Sequence, residues 1–93
     1  MNYLDDIDLK LLKENYDEEL IRELDTENVI KIFNYLNNNG VYYAKDLLLN
    51  SLDLFLYPSE VFIKKFEHLK EVLGNKFVDK LGEDSSLIEI MYE

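Results

Sequence analysis

The chain's single proline, Pro58, separates an apolar run from its most regular amphipathic segment. Between Ser51 and Gly74 the sequence reads SLDLFLYPSEVFIKKFEHLKEVLG. After the proline, Phe62, Phe66, Leu69 and Leu73 fall at i, i+4, i+7 and i+11, the spacing of one face of an α-helix. Pro58 disfavours helical backbone at Tyr57, and Ser59 stands where a new helix takes its N-cap. Gly74 supplies the stop. This stretch reads as the hinge between two similar helical units.

The same grammar runs along the rest of the chain. Asp5 to Glu14 carries Ile7 and Leu11 at helical spacing behind an acidic start. Asn15 followed by Glu18 resembles a capping box, opening a short helix with Leu20, Ile21 and Leu24 inward. Thr26 is the expected N-cap of a helix over 27–38, in which Val29, Ile32, Phe33 and Leu36 form the stripe and Gly40 the stop. From Val41 the Leu-rich run reads as helix, because Val41 is its one β-branched residue, with a break at Asn50-Ser51. The runs Leu47–Leu49 and Leu54–Tyr57 also fit short buried strands by pattern alone. Helices over 76–81, closed by Gly82, and 85–92 complete the chain. The expected fold is all-α: a compact bundle or short solenoid of about six or seven short helices, one domain over 1–93.

Size and charge bound the function. A chain of 93 residues buries roughly 60–65% of its unfolded surface, enough for one modest core. Seven Tyr and five Phe make much of that core aromatic. No cysteine is present, which removes disulfides and thiolate metal sites and fits a reducing compartment. No apolar run is long enough to span a bilayer and the first residues lack the pattern of a secretory signal, so a cytoplasmic protein without membrane attachment is expected. The abundance of Asn, Lys and Tyr suits an AT-rich genome, bacterial or phage.

The net charge of −10 is uneven. Residues 1–27 carry −7, residues 28–57 balance, residues 58–82 carry +1, and residues 83–93 carry −4. Such a field repels phosphate backbones and attracts basic partners, besides keeping a small protein soluble.

The chain also echoes itself. Phe33 and Leu36 reappear as Phe66 and Leu69, Gly40 as Gly74, Leu47 as Leu81, and Ser51-Leu52 as Ser86-Leu87. Behind acidic N-terminal helices over 1–25, residues 26–57 and 59–92 are therefore possible related units. The first unit ends its helix in Leu36-x-x-x-Gly40, continues with Asp46-Leu47-Leu48 and Leu52-Asp53-Leu54-Phe55-Leu56, and leads to a helix ending Leu73-Gly74. Over residues 29–92 this pattern resembles the helical repeats of the mitochondrial transcription termination factor family. That resemblance implies stacked three-helix units in a curved solenoid. The family grips nucleic acid with a basic face, whereas this chain is acidic, and its proline precedes the short third helix, whereas Pro58 follows it. The packing is what carries over.

Catalytic residue patterns are not found, and no enzyme, cofactor or metal is expected. His68, the one histidine, has only Glu71 at i+3, half a metal site at most. Asp5-Asp6-x-Asp8 and Asp17-Glu18-Glu19 lack the glycine and closing glutamate of a calcium loop. The glycines at 40, 74 and 82 read as helix stops and the serines as caps. Lys64, Lys65, Lys70, Lys76 and Lys80 alternate with acids and include no arginine, a thin nucleic-acid site even with Tyr42 and Tyr43 to stack.

Partner binding is the remaining class. The candidate residues are Asp5, Asp8, Asp17 and Glu18 on the acidic surface, toward a basic protein partner, and Leu54, Phe55, Leu56 and Tyr57 if that run is exposed. The alternatives are a nucleic-acid mimic that inhibits a DNA- or RNA-handling enzyme through those carboxylates, and direct binding of nucleic acid by lysines gathered on one concave face.

Overall fold

The structure, a computed structural model, describes residues 6–93, with side chains from Lys10 onward. Its regular elements are α1 (Asp6–Asn15), α2 (Glu18–Arg22), α3 (Thr26–Asn38), α4 (Ala44–Asn50), a 3₁₀ helix over Leu52–Leu56, α5 (Ser59–Leu73), α6 (Phe77–Glu83) and a second 3₁₀ helix over Ser85–Tyr92. No strand occurs among the described residues. The fold is all-α, and its Cα radius of gyration of 12.8 Å matches a compact bundle; domains of about 100 residues have about 13 Å.

Helix α3 buries Val29, Ile32, Phe33 and Leu36, the stripe its spacing predicts. Its N-cap is Asp25 rather than Thr26. Asp25 takes the extended backbone, and its carboxylate accepts from the amides of Glu27 (3.0 Å) and Asn28 (3.3 Å). At the other end the Val41 amide donates to Leu36 O (2.9 Å) and the Gly40 amide to Asn37 O (3.0 Å). That pair of bonds is a Schellman motif, which needs positive φ at Gly40; the value is 81°. The Asn15 capping box does not form. Asn15 is still helical at the end of α1, and its side-chain amide donates to Leu11 O (2.9 Å).

At the proline, the cap also differs from the expected one. Ser59 is buried as the first residue of α5, and its hydroxyl makes no cap bond. Asn28, one turn into α3, does the work from across the fold. Its Oδ1 accepts from the Ser59 amide at 2.7 Å, and its Nδ2 donates to Tyr57 O at 2.7 Å. One side chain thus satisfies both polar groups that the chain exposes on either side of Pro58.

The element order then recurs. A long helix, a glycine with positive φ, a seven-residue helix and a 3₁₀ helix appear first as α3, Gly40, α4 and 52–56, and again as α5, Gly74, α6 and 85–92. The residues ahead of the two short helices share their backbone conformation: Tyr43 has φ −105° and ψ 32°, and Lys76 has φ −100° and ψ 28°.

Helix α5 is the centre, touching α3, α6 and both 3₁₀ helices. Ring contacts run through the core without a gap: Phe33 to Phe55 (5.8 Å between centroids), Phe55 to Phe62 (5.4 Å), Phe62 to Phe66 (6.0 Å) and Phe66 to Phe77 (6.0 Å). The last glycine departs from expectation. Gly82 lies inside α6 instead of ending it, and a Cβ there would stand 3.2 Å from the Tyr43 ring. It is a packing glycine, and the Tyr43 hydroxyl reaches past it to donate to Val78 O at 2.7 Å.

Candidate partner-binding surface

Of the acidic candidates, Asp17 and Glu18 stand at the start of α2. Asp5 and the side chain of Asp8 lie outside the described residues. Asp17 precedes α2 in extended conformation, with an exposed carboxylate that makes no cap bond. Glu18 opens α2 and accepts from Arg22 Nη2 at 3.5 Å, with both groups in solvent. Glu19, Glu23, Asp25 and Glu27 are exposed as well, so six carboxylates stand on the surface within eleven residues.

The apolar candidates lie mostly inside. Leu54 and Phe55 are fully buried, and Phe55 links the aromatic chain between Phe33 and Phe62. Neither offers surface to a partner. Leu56 and Tyr57 are half-buried, and Lys65 Nζ sits 5.3 Å from the centroid of the Tyr57 ring. The reason is geometric. A 3₁₀ helix repeats every three residues, so Leu52 and Phe55 share a face. With Leu54 also turned inward, only Leu56 and Tyr57 are left at the edge.

The lysines of the second half have different immediate surroundings. Lys64 and Lys65 line a shallow depression with Glu60, Val61, His68 and Glu93. Lys70 lies in another, where it donates to Asn39 Oδ1 (2.7 Å) and Glu67 Oε2 (3.0 Å). Lys80 donates to Leu73 O at 2.8 Å, covering a carbonyl near the end of α5. His68 Nε2 is 3.5 Å from Glu93 Oε1, with both groups exposed. Among the described residues, no group of three or more His, Cys, Asp or Glu is placed to hold a metal.

Lys70 belongs to a network that ties α3 to α5. Tyr35 and Lys70 both donate to Glu67, and Asn39 Nδ2 donates to Tyr35 O (2.8 Å). The hydrogen bond from Tyr35 holds the Glu67 carboxyl below its ordinary range, aided by Lys70. Burial raises the Tyr35 phenol, and Glu67 raises it further.

A groove not anticipated from the sequence lies where α4 faces α6 and the start of the second 3₁₀ helix. It holds about 610 Å³, with Leu47, Leu81 and Ile88 at its floor and Tyr42, Asp46 and Glu89 among its other lining residues. Tyr42 is 84% exposed, with its ring edge-on to Tyr43 at 5.0 Å between centroids. The Tyr43 phenol is pushed up to about 12, by burial first and then by Tyr42 and Asp79. The groove has no local signature, because its walls come from segments nearly forty residues apart.

Among the described residues, no helix is long and apolar enough to cross a membrane. No protein-family profile, curated protein or solved structure matches the chain.

Proposed function

We propose that this chain is a small acidic helical module that acts by binding a basic protein partner in the cytoplasm, and not by catalysis. The observation that carries this reading is the surface of α2 and its flanks: six exposed carboxylates within eleven residues, with Arg22 as the one cation among them. A dense negative field raises the association rate with basic surfaces and rejects acidic ones. The recurrence of element order supports a scaffold of two related helical units, packed as in the repeats of the mitochondrial transcription termination factors. The nucleic-acid function of that family does not come with the packing. Lys65, Lys70 and Lys80 each engage groups of the chain itself, which leaves them less available to a phosphate backbone.

The same carboxylates support a second reading, a nucleic-acid mimic that occupies the basic groove of a DNA- or RNA-handling enzyme. Capture from source cells separates the two. The full chain, immobilised at about 0.1 M salt, is expected to retain a basic protein and to lose it at about 1 M, where the screening length falls from about 10 to about 3 Å. A chain carrying Asp17→Asn, Glu18→Gln, Glu19→Gln and Glu23→Gln is expected to retain far less. Retention unchanged by these substitutions would overturn the proposal. Displacement of the captured protein by added DNA or RNA would assign the mimic reading.

A further inference from the structure

We infer that the groove between α4 and the α6–3₁₀ junction docks an arginine-bearing segment of the basic partner, a site that rests on the interaction-module reading and gives it a location. The two charged residues in its lining are both carboxylates, Asp46 and Glu89. None of its lining residues is Lys or Arg, although the chain has ten. The lining itself is thus negative, and Lys45 lines the adjoining depression that shares Tyr42, Tyr43 and Asp46.

Tyr42 makes arginine the preferred cation. Among the described residues it has the most exposed large apolar side chain, yet its ring rests edge-on against Tyr43. Tyr43 is itself held, with its ring against Gly82 and its hydroxyl on Val78 O. A phenol ring presented to solvent on a rigid base, with a carboxylate on the same groove wall, matches a guanidinium: the plane stacks on the ring and the fork pairs with the carboxylate. Lysine, a point charge, uses only half of this arrangement. The floor of Leu47, Leu81 and Ile88 takes an apolar neighbour of that arginine, and a volume of about 610 Å³ is suited to a short peptide segment rather than a folded surface.

The test is a titration of the full ¹⁵N-labelled chain with a short acetylated peptide in which two arginines flank a leucine, followed by amide shifts. Saturable shifts are expected at Tyr42, Asp46, Gly82 and Ile88, and none with glutamate in place of arginine. Tyr42→Ala and Asp46→Asn, both at exposed positions, are each expected to weaken binding about three- to tenfold. Lysine in place of arginine is expected to weaken it as well. Shifts confined to residues 17–27 would overturn the groove and leave the acidic-module reading standing. Absence of shifts anywhere would also overturn the groove, while the fate of the module would rest on the capture experiment. Shifts at Tyr42 on concentrating the chain alone would show a second copy in the groove and overturn the assignment to a partner.

Discussion

Asn28 ties two distant parts of the chain together. Its two bonds of 2.7 Å, to Ser59 N and Tyr57 O, span about thirty residues of sequence and hold the chain as it turns at Pro58. Asn28→Ala leaves both partners unsatisfied in a part-buried place, and a loss of about 2–3 kcal/mol is expected by urea unfolding. The glycines divide by mechanism. Gly74 has φ 83° and ψ −163°, a region closed to other residues, with open space where a Cβ would stand; Gly74→Ala is expected to cost about 1–3 kcal/mol through backbone strain alone. Gly82 is helical, so alanine there gains about 1 kcal/mol of helix propensity but meets the Tyr43 ring at 3.2 Å. Because the Val78 bond holds that ring, Gly82→Ala is expected to destabilise the protein, and less so in a Tyr43→Phe background. A double-mutant cycle measures that coupling. Tyr43 also gives a pH signature. Its folded pKa of about 12 lies above the unfolded value of about 10, so its contribution is whole below pH 10 and is lost as pH rises toward 12. Alkaline unfolding is expected to begin above pH 10 and to weaken in Tyr43→Phe.

Between elements, the aromatic chain from Phe33 to Phe77 holds the bundle together, with Phe55 inside it. Phe55→Ala is expected to cost about 3–5 kcal/mol, a large share of the stability of a small domain, and calorimetry would show it as a collapse of the unfolding transition. The second 3₁₀ helix runs for eight residues, well beyond the three or four that such helices sustain alone. Ile88 and Met91 hold it on α5 and α6, and Tyr92 ties it to the first 3₁₀ helix by donating to Asp53 at 2.5 Å. What was legible in the sequence follows from these cases. Helical periodicity located α3 and α5 with their buried stripes, because the period is written within each element. The break at Asn50-Ser51 and the stops at Gly40 and Gly74 were equally local. Asn28, Gly82 and the groove were not legible, since each depends on a partner brought near only by the fold. Caps were misplaced by a residue or two, because Asp25 and Thr26 are both competent and the backbone decides between them.

At the scale of the molecule, charge is uneven along the chain. Lys65, Lys70 and Lys80 of the second half engage groups of the chain itself, whereas α2 and its flanks present carboxylates outward. With a net charge of −10, self-repulsion acts against the folded state, so the melting temperature is expected to rise as salt screens it; a fall would mean that attractive pairs dominate. The most direct measurement of a charge-driven binding module is the affinity of the captured partner for the purified chain across a salt series. Binding is expected to weaken steadily with salt, and the four-fold neutralised α2 variant is expected to bind more weakly with a flatter salt dependence. An affinity indifferent to both salt and neutralisation would contradict it.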